Sequence, residues 1–162
     1  MKKITFILFA LIAGTGFAQG TSDEDSGIAT VNAEIVSPIS IEDGSDLDFG
    51  RIIGNEDGGT VTVSTAGART GDNDLLDPTN EGQAASFDIT AADTYNYSIA
   101  IPDITLTGDG DNMAVNFDSS LGNASVGEGA VQTLNVGGDL TVNASQAEGA
   151  YTGEVTVTVA YE

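Results

Sequence analysis

The chain has 162 residues, with four basic side chains against 25 acids, a formal net charge of −21, and no histidine or cysteine. Such a charge repels nucleic-acid phosphates and anionic lipid surfaces, which argues against both as partners. The missing residue types remove the usual nucleophile–base pairs, any disulfide, and the commonest zinc and haem ligands.

The first residues have the pattern of an export signal. Met1, Lys2 and Lys3 precede an apolar run over residues 4–13, and small residues follow, ending Gly16-Phe17-Ala18. A charged start, a short apolar stretch and a small-x-small exit predict a signal peptide over residues 1–18, cleaved after Ala18. The run is too short to span a bilayer, which takes about 20 apolar residues. The expectation is therefore no membrane insertion after cleavage, with passage through the periplasm to the cell surface or beyond. Of 162 residues, 144 then remain, with only Arg51 and Arg69 against 25 acids, or −23. That length suits one domain. Residues 19–27 are polar and acidic and read as a flexible lead-in to a domain over residues 28–162.

Alternation of apolar and polar residues, the period of a half-buried strand, fills the rest. Ala29, Val31, Ala33 and Ile35 share one face, so residues 28–35 read as the first strand or as a strand donated to another chain. Val61 and Val63 alternate with threonines. Ala85, Phe87 and Ile89 form the next run, then Tyr95, Tyr97, Ile99 and Ile101. Ile104 and Leu106 follow Pro102-Asp103. Met113, Val115 and Phe117 oppose Ala114, Asn116 and Asp118. Leu134 and Val136 precede Gly137-Gly138, and Leu140 and Val142 follow, which predicts a hairpin turn at the glycine pair. The last run is the longest. Tyr151, Gly153, Val155, Val157, Val159 and Tyr161 face one way, and Thr152, Glu154, Thr156, Thr158 and Ala160 the other. Gly, Asn and Asp clusters separate the runs and supply turns. No stretch has a helical period. Many short strands with turns between them predict an all-β fold, a single antiparallel β-sandwich.

Little chemistry is available. Paired carboxylates can hydrolyse glycosides, but with 25 acids some pair always looks suitable, so the expectation is no enzyme, no catalytic residue and no cofactor. Calcium takes oxygen ligands from acidic, glycine-rich turns. Asp109 and Asp111 with Asn112, and Asp72 and Asp74 with Asp77, are the weak metal candidates. The plainer reading is turns whose acids face water.

The C-terminal stretch carries the most specific pattern. Tyr161 is penultimate, Val159, Val157 and Val155 stand fourth, sixth and eighth from the end, and Gly149 stands fourteenth. This resembles the C-terminal motif of chaperone–usher pilins. Residues 29–41 (ATVNAEIVSPISI), Leu47-Asp48-Phe49-Gly50, residues 60–69 (TVTVSTAGAR) and the closing YTGEVTVTVAY resemble secreted bacterial domains related to spore-coat-U-type pilins. The resemblance covers nearly the whole exported chain, although the disulfide usual in classical pilins is absent. It implies an immunoglobulin-like, pilin-like sandwich. It further implies a structural subunit of an extracellular pilus-like fibre or surface layer, built by strand exchange with copies of itself or related subunits. A periplasmic chaperone and an outer-membrane usher would be the assembly partners. Gly149, Val155, Val157, Val159 and Tyr161 are then expected to border the receiving groove, and Val31, Ala33 and Ile35 to be the donated plugs. The alternative is a monomeric secreted binding module, with calcium in its acidic turns.

Overall fold

A computed structural model describes residues 25–162 apart from Asn73. The signal peptide predicted over 1–18, and residues 19–24 of the acidic segment, lie outside the described residues. The chain divides into two units, Met1–Glu34 and Ile35–Glu162. Within the first, residues 25–34 form no strand and are exposed.

The second unit is all-β, with no helix among the described residues. Its strands are β1 (Ser40–Ser45), β2 (Gly59–Val63), β3 (Arg69–Gly71), β4 (Ala85–Thr90), β5 (Asn96–Ala100), β6 (Ile104–Leu106), β7 (Met113–Ser119), β8 (Ala124–Val126), β9 (Val131–Val142) and β10 (Thr158–Tyr161). The alternation predicted from sequence decides which side chains point inward. Val61 and Val63 of β2, Ile89 of β4, Tyr97 and Ile99 of β5, and Met113 and Val115 of β7 are all buried. The intervening threonines, serines and acids lie at or near the surface.

Two antiparallel sheets make a β-sandwich. The larger runs β1-β4-β9-β2-β3, with β7 and then β6 on the other side of β9; the smaller runs β10-β5-β8. Strand β9 organises the larger sheet. Val136 pairs with Ala85 of β4 on one edge and with Ser119 of β7 on the other. Two residues on, Gly138 pairs with Val63 of β2 and Phe117 of β7. One edge of β9 is therefore shared end to end by β4 and β2, while β7 occupies the opposite edge.

This arrangement corrects the expected hairpin at Gly137-Gly138. The glycines lie inside one continuous 12-residue strand. Their role is close approach rather than turning. A Cβ on Gly137 would collide with the Val63 carbonyl oxygen, and one on Gly138 would sit 2.7 Å from the Asn116 carbonyl oxygen. Side chains are excluded where the edge of β9 passes from β4 to β2.

Two other expectations change. The first strand starts at Ser40, and residues 28–35 do not form it. The long closing strand shortens to Thr158–Tyr161, where it pairs with β5. Upstream, β5 has ended at Ala100 and Pro102 follows, which lacks a backbone donor. A single bridge, Thr152 with Thr107, holds the segment there. The side chains nevertheless keep their alternation. Tyr151, Val155, Val157, Val159 and Tyr161 are half-buried, while Thr152, Glu154, Thr156, Thr158 and Ala160 are exposed.

The core falls into two clusters. One gathers Phe49, Val61, Val63, Leu75, Met113, Val115, Leu140 and Val142. The other gathers Ala85, Ile89, Ala91, Tyr97, Ile99, Leu134 and Val136. Half-buried Leu47 and Phe117 touch both, so the seam between the clusters runs beneath them.

Candidate functional site

A groove of about 1460 Å³ opens along that seam. Residues 43–56 form one wall and residues 145–156 the other. The first wall leaves β4 at a bulge between Asp43 and Ser45. Beyond it, only the outer edge of the wall is bonded. Asp48 N donates to the Gln83 carbonyl (2.9 Å), Gln83 N donates back to Asp48 (2.8 Å), and Ile53 N donates to Leu75 (2.8 Å). The second wall is likewise held from outside, where Thr107 and Thr152 exchange backbone hydrogen bonds of 2.9 and 3.0 Å.

The walls meet at their ends. At one end Ser145 N donates to the Asn55 carbonyl (2.8 Å). At the other the Tyr161 hydroxyl donates to the Ser37 carbonyl (3.0 Å) and accepts from Ala92 N (2.7 Å). The Tyr161 ring also packs edge-on to Tyr95, with centroids 5.9 Å apart. Ser37, ahead of the first wall, meets Tyr161 beyond the end of the second, and Asn55, near the end of the first, meets Ser145 at the start of the second, so the two walls run antiparallel. Between these closures, among the described residues, no hydrogen bond joins residues 43–54 to residues 147–156. Any strand entering here would run parallel to one wall and antiparallel to the other.

The floor is apolar. Phe87 of β4, Ile104 and Leu106 of β6, and Phe117 of β7 are half-buried there, over buried Met113, Val115, Val136 and Leu140. The rim is acidic. Asp43, Asp46, Asp48, Glu56, Glu148 and Glu154 line it, with Arg51 as the one cation among the described residues. An apolar trough between two strand-like edges offers both side-chain pockets and backbone partners, the two requirements of strand addition.

The sequence-predicted residues divide accordingly. Gly149 and Val155 line the groove. Gly149 holds φ at +151°, a conformation that favours glycine, and a Cβ there would stand 2.9 Å from an Asp109 carboxylate oxygen. Val157, Val159 and Tyr161 instead pack on the second core cluster, just beyond the open stretch. Val31 and Ile35 are 89% and 98% exposed, and Ala33 is exposed as well. In the wall over residues 43–56 the sequence marks only Leu47-Asp48-Phe49-Gly50, by resemblance. The floor residues Phe87, Leu106 and Phe117 carry a two-residue period indistinguishable from any inward strand face.

The acidic turns do structural work. Asp72 accepts a hydrogen bond from Thr60 N (3.0 Å), which ties the β2–β3 hairpin. The loop carrying Asp109 and Asp111 is held to the 143–151 segment, where Gln146 Nε2 donates to the Asp111 carbonyl (2.6 Å) and to the Tyr151 hydroxyl (2.8 Å). Asp77 accepts from both the hydroxyl (2.6 Å) and the backbone N–H (2.8 Å) of Thr79. The Thr79 hydroxyl, then its N–H, then the Arg51 charge hold the Asp77 carboxyl below the usual carboxylate range. Among the described residues, no three acidic side chains come together as a metal site.

The two arginines also have structural partners. Arg69 donates to the carbonyls of Asp77 (3.3 Å), Asn80 (2.5 Å) and Arg51. Arg51 pairs with Asp77 at 3.4 Å. Both cations thus hold the 77–80 loop behind the first wall.

No curated protein and no solved structure matches this chain. A family model described as a domain of unknown function, DUF4402, matches residues 39–161, which takes in every strand of the sandwich and both walls of the groove. The chain belongs to the DUF4402 family.

Proposed function

We infer that this chain is a structural subunit of an extracellular pilus-like fibre or surface layer, and that its groove receives residues 28–35 of another copy. The observation that carries this reading is the open groove over the split core. Its walls are bonded on their outer edges and free along their facing edges, and its floor is apolar. A sandwich that lacks one strand has this form. The exposed, alternating Ala29, Val31, Ala33 and Ile35 are the complementary piece. Eight extended residues span about 26 Å, against about 33 Å for residues 147–156, so the segment fits within the trough. A donor in one copy and an acceptor in the next make a head-to-tail contact, which propagates as a filament rather than closing a pair. The signal-like first 18 residues fit export ahead of assembly. A periplasmic chaperone that caps the groove, and an outer-membrane usher, complete the reading.

The test is deletion of residues 19–35 behind a retained signal. Purified periplasmic protein is run unheated in SDS and measured by light scattering. The parent chain should give a ladder of multimers, and the deletion a single short species. Multimers that survive the deletion would refute strand donation.

A further inference from the structure

The groove and its proposed occupant carry the same sign of charge. The rim presents six carboxylates, Asp43, Asp46, Asp48, Glu56, Glu148 and Glu154, all exposed, against Arg51 alone. Arg51 is itself paired with Asp77. The donor stretch contains Glu34, and Asp23, Glu24 and Asp25 lie just ahead of it. Residues 19–35 contain no basic side chain at all. Approach of one copy to another therefore brings acid to acid at the rim, while the groove floor and the Val31 and Ile35 plugs attract.

Resting on the strand-exchange reading, we propose that assembly is gated by ionic strength, with two copies kept apart in dilute salt and joined in concentrated salt. The screening length is about 30 Å at 0.01 M and about 3 Å at 1 M. At the low end, the rim of one copy and the whole donor of the next lie within each other's field. At the high end, the repulsion ends within about one residue spacing, and the apolar contacts decide. Opposite charges speed association by about 10- to 1000-fold, and like charges slow it through the same field. Most protein pairs held by charge weaken as salt rises; this pair strengthens.

The test follows the rate of ladder formation by the full exported chain from 10 mM to 1 M NaCl. The rate should rise at least about tenfold. The double substitution Asp25→Asn with Glu34→Gln should raise the low-salt rate and leave the high-salt rate unchanged, which separates charge from a general strengthening of apolar contacts. CaCl2 at matched ionic strength should act as NaCl does. A rate that is flat or falls with salt, or a double variant with the parent's salt slope, would overturn the gating while leaving strand exchange standing. A calcium effect far above that of matched NaCl would also overturn it, in favour of bound bridging cations. Failure to form a ladder at any salt would overturn strand exchange itself.

Discussion

Replacing Val31 and Ile35 together by serine separates the stability of the subunit from its assembly. Both side chains are almost fully exposed in the single chain, at 89% and 98%. Surface substitutions away from special features change stability by no more than about 0.5 kcal/mol. The melting temperature of the monomer should therefore stay within about 3 °C. In the groove of another copy, each side chain would be covered by Phe87, Leu106 and their neighbours. Burying a valine or isoleucine contributes about 1.5–3 kcal/mol, so the pair contributes about 3–6 kcal/mol. At about 1.4 kcal/mol per decade, the double variant should bind two to four orders of magnitude more weakly. Thermal unfolding of monomer and concentration-dependent light scattering measure the two quantities on the same samples. Equal assembly by parent and variant would refute the donor assignment. A large fall in the melting temperature of the monomer would show that the segment is packed in its own subunit, which contradicts the same reasoning.

Three further expectations test the scaffold around the groove. Gly137→Ala should cost about 1–3 kcal/mol by overpacking against the Val63 carbonyl, read as a lower melting temperature, whereas Gly54→Ala, whose Cβ would stand 3.4 Å from the Gln146 carbonyl, should be nearly neutral. Tyr161→Phe removes the hydroxyl that bridges Ala92 and Ser37, two hydrogen bonds of about 0.5–1.5 kcal/mol each, and should lower the melting temperature by about 3–10 °C. The depressed Asp77 carboxyl stabilises the folded chain above the ordinary aspartate value of about 3.9, and that contribution is lost as pH falls through its lower folded value. Protection of the Thr79 amide, its exchange measured against the free-peptide rate at each pH, should accordingly fall below about pH 4 in the parent, and should already be lost at pH 6 in Asp77→Ala.

The sandwich itself was legible because its inward faces keep a strict two-residue period. Val61 and Val63, Tyr97 and Ile99, and Leu134 and Val136 all point where alternation puts them. Period says which face a residue occupies but not whether its backbone has a partner. That is why the closing run reads as one long strand, while only Thr158–Tyr161 pairs as one. Its upstream valine and tyrosine keep their faces over a groove where the ladder is missing. The glycine pair is ambiguous for a related reason. Gly-Gly marks a turn or a close backbone approach equally well, and only the passage of β9 from β4 to β2 decides between them. Most of the first wall has no sequence signature because, past the end of β1 at Ser45, it forms single bridges rather than a ladder. Its course is set by distant partners, Gln83, Leu75 and Ser145, which no local pattern reveals. Arg69 is similar: one of two arginines in an acidic chain, it reads as a surface charge until the three carbonyls around it are in place.

Because the chain contains no cysteine, a single introduced pair can report directly on strand donation. Val31→Cys in one copy and Leu106→Cys in another place one thiol on the proposed donor and one on the groove floor. Mixed, oxidised and heated in SDS without reductant, which melts the non-covalent ladder, they should form a disulfide-linked dimer between the two variants. Val31→Cys with Ala66→Cys, on the exposed β2–β3 turn away from the groove, should not. Selective capture at Leu106 is the predicted result. Equal capture at both positions, or none at Leu106, would contradict the account.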